Sequence, residues 1–413
     1  MLFPYGNLSN GGEKDDAPVK RKRRHGEESE RDRFHEGQGG LLRDERKQTP
    51  RVGIGERLTQ FTWAWFTLTM STGGFSLLLS VTPHQFSGIR VIGKILFILN
   101  LVFFIIIVSG LTARFLTHPT SLRASLTHPT ESLFHPCFYL TLATIILCTQ
   151  AYGVPACGPW LLVTLYVLFW LYATLTLVVA VVQYWLLFYN EHLTLPSMTP
   201  SWLLPIFPAM LLGTLASFLA PSLPAERRMT MLVAGLVYQG LGWTVASFMY
   251  PLYLGRLMQE GFPAVGMRPG MFIAVGPPGY TSLALIGMAN AVPQGYGYFA
   301  AHPTAVETLR VVALVFAIFV WGVGFWFFCI SLVSCLRGVP EMSFTLTWWA
   351  FVFPNVGFTS ATTSIGRQLG SEGVLWMASA MTVLIAVMWL FVAGAHIRAI
   401  VLKKVLYPLD KKQ

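Results

Sequence analysis

From Phe61 to Val401 this chain has no aspartate, and its seven glutamates (Glu131, Glu191, Glu226, Glu260, Glu307, Glu341 and Glu372) all fall in loops or at helix ends. The same stretch is long, very apolar, and interrupted by Pro and Gly. Apolar runs of roughly 20 residues are what crosses about 30 Å of hydrocarbon. A membrane protein without carboxylates in its spans cannot use Asp or Glu as a proton relay or cation ligand. What remains suits a path for anions, which buried carboxylates would repel.

Composition agrees. Only 12% of the 413 residues are charged and 54% are hydrophobic, whereas a soluble domain carries about 25% charged residues. Ten spans follow, at 60–80, 91–115, 134–154, 160–188, 202–220, 230–254, 270–290, 306–336, 344–364 and 374–402. The expected fold is an all-α polytopic membrane protein. Its domains are a disordered, charged cytosolic N-tail over 1–59, a ten-helix membrane domain over 60–402, and a basic cytosolic C-tail over 403–413. The N-tail has no apolar segment of signal-peptide type. Its Lys20–Arg24 run reads as a basic segment near anionic lipid. The net charge of +10 lies mostly in the membrane domain and its flank, so it does not point to nucleic acid. Short loops on the two sides carry similar positive charge. The basic tails and an even span count put both termini in the cytosol. Five cysteines are an odd number with no metal-ligand spacing, so neither a disulfide framework nor a metal is expected.

Odd and even spans differ. The odd spans carry the breakers: Gly73-Gly74 in the first, Gly153 and Pro155 ending the third, Pro205, Pro208 and Gly213 in the fifth, Pro277-Pro278-Gly279 in the seventh, Pro354 and Gly357 in the ninth. Their centres recur at roughly 70-residue intervals, as expected of five successive helical hairpins. Broken helices in a membrane are tolerated where the freed backbone meets protein or a cavity. The predicted arrangement is five odd helices inside, lining a central pore, with five even helices outside as unbroken lipid-facing rods. Ordinary helix packing also uses Gly, Pro and Thr. The candidate substrate path is Ser71, Thr72, Gly73 and Gly74, with Pro278, Gly279 and Thr281, and Asn355 and Thr359 in span nine. Hydrated anions need hydrogen-bond donors or positive potential. Helix N-termini supply both. Arg114, Arg268, Arg337 and Arg367 lie near span ends, where they would concentrate anions at the mouths or contact lipid headgroups.

Three segments carry a resemblance: Met70-Ser71-Thr72-Gly73-Gly74-Phe75, Thr345 to Phe358, and His128-Pro129 leading to Phe134-His135-Pro136. They resemble the tellurite-resistance/dicarboxylate transporter family, which includes plant slow-type anion channels, bacterial tellurite-resistance proteins, fungal sulfite exporters and fungal malic acid permeases. Phe61 to Phe66 and Thr347 to Phe358 look most like the malic acid permease branch. The resemblance covers about residues 56–402. It implies five quasi-symmetric hairpins around a pore, a homotrimer with one pore per subunit, and a plasma-membrane location. It also implies a pore plugged by a Phe of the ninth helix, which falls on Phe353, with Phe351 as the second candidate. The function it implies is transport of C4-dicarboxylates, without cofactor. The alternative is a sulfite, nitrate or chloride pathway on the same scaffold. If a proton accompanies the substrate, a core lacking carboxylates leaves it to travel on the monoanion.

An enzyme fits poorly. Aspartate occurs only at Asp15, Asp16, Asp32, Asp44 and Asp410, and no Walker-type phosphate loop is present. The repeated Leu-Thr-His-Pro-Thr around His118 and His128 reads as turn chemistry.

Overall fold

The computed structural model describes residues 53–190 and 194–405, so most of the expected N- and C-tails lie outside the described residues. Every regular element among the described residues is helical. Ten helices of 13 or more residues make the frame: α1 Phe66–Val81, α2 Ile89–Thr117, α3 Pro136–Cys148, α4 Trp160–Asn190, α5 Phe207–Leu219, α6 Ala225–Glu260, α7 Gly276–Ala291, α8 Pro303–Gly338, α9 Phe353–Leu369 and α10 Glu372–Val401. Eight helical stretches are long and apolar enough to cross a membrane, and Phe207–Ser222 is a shorter apolar one. The chain is a multi-pass membrane protein.

The even helices have 29 to 36 residues, longer than a 30 Å core requires at about 1.5 Å per residue. The odd helices have only 13 to 17, roughly 20–25 Å. Each is lengthened at its start by a 3-10 segment: Trp63–Trp65, Ser132–Phe134, Pro200–Leu203, Val265–Val275 and Leu346–Phe351. Tight helix of this kind rarely runs beyond three or four residues, yet Val265–Val275 has eleven.

These junctions correct the expected positions of the breaks. Helix α1 runs unbroken through Gly73-Gly74, and Pro278 to Thr281 lie inside a continuous α7. The reason is where proline falls. In α3, α5, α7 and α9 a proline occupies the first or second position, where its missing N–H goes unneeded and its fixed φ suits a helix start. Proline here begins α-helix after 3-10 rather than bending it. The even helices are continuous rods, and α6 runs through Pro251.

Burial separates the two sets. The stretches containing α1, α3 and α7 are 83%, 67% and 89% buried, and those containing the five even helices 17% to 39%. The odd helices pack in a closed ring, α1 on α3, α3 on α5, α5 on α7, α7 on α9, and α9 back on α1. Outside, α2 packs on α1, α4 and α6 on α5, α8 on α7, and α10 on α9. The outer surfaces present side chains such as Val91, Ile98, Ile105, Val315, Phe319 and Val387, as hydrocarbon contact requires.

Polar contacts fasten the seams. The indole of Trp389 on α10 donates to Thr72 on α1 (3.1 Å), that of Trp321 on α8 to Thr362 on α9 (2.9 Å), and the Gln239 amide on α6 to Thr281 on α7 (2.8 Å). Tyr172 on α4 donates to the Pro208 carbonyl at the start of α5 (2.9 Å). At the remaining seam the fully buried Asn100 on α2 packs over Gly73, beside Thr144 of α3. Four of the outer helices thus bond to the inner helix that begins the next pair, whereas the Asn100 side chain makes no hydrogen bond.

Candidate functional site

The ring narrows where the five odd helices begin. A cavity of about 10 Å³ there is lined by Thr67 and Met70 of α1, Cys137 of α3, Phe207 of α5, Ile273 just before α7, and Phe353 and Pro354 of α9. Every odd element contributes, and each does so from its N-terminal end. The odd helices therefore run parallel, with their positive dipole ends gathered at one level. None of them contains an acidic residue. The cavity has room for about one water molecule.

Phe207 and Phe353 line it, and Tyr280 packs against both from outside the lining. Phe353 is 1% exposed. Its ring stacks on Tyr280 at 5.2 Å and tilts against Phe207 at 5.9 Å, while Phe207 and Tyr280 meet edge-on at 5.6 Å. Each ring sits on a glycine of a neighbouring odd helix. A Cβ at Gly74 would come within 3.1 Å of the Phe353 ring, one at Gly276 within 2.7 Å of Phe207, and one at Gly357 would strike the Tyr280 ring. The Tyr280 hydroxyl donates to the Phe353 carbonyl at 3.3 Å, a bond at the junction between 3-10 and α9. Aromatic pairs of this kind contribute about 0.5–1.5 kcal/mol each beyond their burial.

Phe351 ends the 3-10 segment before α9, half-buried, with its ring edge-on to Phe272 at 5.3 Å. It is not among the residues lining the cavity. The other candidates spread over the ring. Gly74 lies under Phe353. Ser71 donates to the Trp349 carbonyl at 3.0 Å, Thr72 accepts from Trp389, and Gly73 faces Thr144 and Asn100. Pro278 touches α8 near Gly324, Gly279 abuts the α9 backbone at Gly357 and Phe358, and Thr281 accepts from Gln239. Asn355, in the first turn of α9, donates to the Phe351 carbonyl at 2.9 Å. Its carbonyl oxygen and the Thr359 hydroxyl have no hydrogen-bond partner, nor has the Thr214 hydroxyl of α5. All three are buried on inner helices and keep polar capacity in reserve.

The four arginines differ in commitment. Arg114 and Glu131 form a bidentate pair at 2.6 and 3.3 Å, and Arg114 also donates to the Phe61 carbonyl at 2.6 Å. Its charge is neutralised on site. Arg268 donates to the carbonyls of Pro263 and Ser334 and keeps its charge. Arg367 donates to the Val81 carbonyl at 2.7 Å, tying the far end of α9 to that of α1. Arg337 is exposed near the end of α8.

Phe207 lines the cavity and Tyr280 packs against Phe207 and Phe353, and neither was among the candidate residues named from the sequence. A signal for Phe207 was present: Phe207-Pro208 repeats the Phe353-Pro354 dipeptide at the start of an odd helix. Tyr280 had none, being one aromatic among many.

Comparison with known proteins places this architecture among transporters. The model of the family described as voltage-dependent anion channel (SLAC1) matches residues 60–397. The malic acid transport protein of Schizosaccharomyces pombe is 32% identical over 91% of this chain and 85% of its own length. A second, putative malic acid transport protein of that organism is also 32% identical, over 91% of this chain and 87% of its own. The sulfite efflux pump SSU1 of Arthroderma otae is 28% identical over 81% of this chain and 89% of its own.

Proposed function

Because this chain belongs to the voltage-dependent anion channel family, we propose that it carries C4-dicarboxylate anions such as malate, succinate and fumarate through a central pore closed by Phe353. The observation that carries this reading is the constriction: five parallel helix starts, no carboxylate in any inner helix, and one ring from α9 at the narrowest level. All ten helices cross the membrane as five hairpins in this reading, α5 and α9 completing their crossing with their 3-10 prefixes.

The mechanism follows from what lines the path. An anion loses hydration at the constriction, at a cost of several kcal/mol if uncompensated. Helix-start potential offsets part of that cost. The free hydroxyls of Thr214 and Thr359 and the second amide N–H of Asn355 replace some of the lost water. No arginine or lysine enters an inner helix ahead of Arg367 at the end of α9. Binding is therefore weak and spread out, which favours throughput. Arg268, Arg337 and Arg367 concentrate anions at the mouths, whereas Arg114 serves structure through Glu131. Phe351 packs on Phe272 and Trp348 in the segment that leads into Phe353. The protein acts as a homotrimer in the plasma membrane with both termini cytosolic, and it is not an enzyme.

Malate is preferred over sulfite because the malate relatives match at higher identity over more of the chain. Sulfite, or a smaller anion such as nitrate or chloride, is the second reading. Both are tested by radiolabelled malate flux and anion current in proteoliposomes, with native protein and Phe353→Ala. Malate flux that rises about tenfold in the variant, a barrier lowered by about 1.4 kcal/mol, is the expected result. Sulfite or nitrate current without malate flux moves the substrate to the second reading. Unchanged or lost malate flux in the variant removes the gate. Run across pH at fixed total malate, the flux should track the monoanion and fall as pH rises.

A further inference from the structure

A groove of about 480 Å³ lies between the 3-10 segment before α9 and the C-terminal part of α10. Its apolar walls are Phe344, Trp348 and Phe391, and its basic end is formed by Arg398 and Lys404. Phe391 is 56% exposed and stacks on Trp348 at 5.8 Å. Trp348 is 9% exposed, and its indole N–H has no hydrogen-bond partner. Gly394 also lines the groove, and a Cβ added there would meet no atom within 4 Å.

The two cations are brought together by how α10 ends. Lys403 is the residue with positive φ (+58°) among the described non-glycine residues. The Lys404 N–H bonds back to the Ala399 carbonyl and the Lys403 N–H to that of Ile400. This is the αL helix stop usually made with glycine. It folds the chain back so that Lys404 lines the same groove as Arg398, one turn and a half earlier. Both cations are exposed, and no carboxylate pairs with either among the described residues.

We infer that this groove holds one anionic phospholipid, its phosphate between Arg398 and Lys404 and an acyl chain along Phe391, Phe344 and Trp348. The charge calls for an anion, and the apolar walls call for a chain that a free phosphate lacks. A zwitterionic lipid fills the walls but leaves the cations without a net countercharge. Trp348 also stands edge-on to Phe351 at 6.0 Å, so the occupant rests against the segment that leads into Phe353. The inference concerns binding and does not depend on which anion the pore passes.

The test uses full-length protein, delipidated in detergent and titrated with phosphatidylglycerol or phosphatidylcholine, with bound lipid counted by native mass spectrometry. One phosphatidylglycerol per chain should be retained in preference to phosphatidylcholine. Each of Arg398→Gln and Lys404→Gln should weaken phosphatidylglycerol roughly fivefold, the usual worth of one basic residue at an anionic lipid, and leave phosphatidylcholine unchanged. Gly394→Leu, whose side chain enters open space, should displace lipid without unfolding the protein. Inorganic phosphate should not compete. Equal retention of the two lipids, a double variant that binds phosphatidylglycerol like the native chain, native-level binding in Gly394→Leu, or displacement by phosphate would each overturn the inference.

Discussion

Two residue-level contacts can be tested singly. The first is the Tyr280 hydroxyl on the Phe353 carbonyl, 3.3 Å away. A neutral hydrogen bond is worth about 1 kcal/mol. Tyr280→Phe keeps the stacked ring and loses the bond, so tracer flux should rise about fivefold with no change in the amount of folded protein. Flux equal to the native chain would show that ring packing alone holds the closed state. The second contact is Arg114 with Glu131, whose side chains are 9% and 15% exposed. Arg114→Gln leaves a buried carboxylate without its partner and should cost roughly 3 kcal/mol of stability, read as a lowered melting temperature in detergent. The double variant with Glu131→Gln should recover part of that loss. If the single variant melts like native protein, the pair is not structural and Arg114 regains its place among the mouth cations. At this scale the sequence was partly legible. Phe353 stood out through Phe353-Pro354 and the resemblance around it. Tyr280 and Phe207 did not, because an aromatic in an apolar helix gives no sign of which neighbour it meets.

At the scale of elements, glycine and proline have exchanged their expected roles. Gly73, Gly74 and Gly357 were read as breaks and turn out to be seats for side chains, whereas Gly153 does end the helical run of the third span. The prolines were read as bends and turn out to start helices. Pro208→Ala should therefore cost less than about 1 kcal/mol, since alanine is also accepted at a helix start. Gly213→Val should cost more, about 1–3 kcal/mol or above, because an added Cβ lies 2.8 Å from the Gln239 Cβ and α5 would be wedged off α6. Melting curves of the two variants in one detergent compare them directly. A larger loss for the proline variant would contradict the helix-start assignment. The alternation of inner and outer helices was visible in the sequence from breakers and hydroxyls. The exact junctions were not, since a 3-10 prefix and an α-helix share the same apolar composition.

Taken whole, the molecule is a ring of five parallel helix starts wrapped by five long rods. Its topology has a direct chemical readout. Cys157 is exposed in the loop after α3, whereas Cys137, Cys148 and Cys335 are buried. With both termini cytosolic, that loop is extracellular. A membrane-impermeant maleimide should label Cys157 on intact cells, and Cys157→Ser should lose the label. Labelling that appears only after permeabilisation would invert the orientation.

By itself the sequence determined that this chain is helical, crosses a membrane many times, and carries no carboxylate in its inner helices. Those conclusions rest on length, hydropathy and the placement of acids, which need no knowledge of neighbours. Only the tertiary structure decided which rings pack together where the inner helices begin, and which arginine is spent on a glutamate. The physical reason is that lipid and protein interior are equally apolar. Hydrophobicity therefore cannot tell an inward face from an outward one, and only the fit of a ring onto a facing glycine, or of an amide onto a facing threonine, makes the choice.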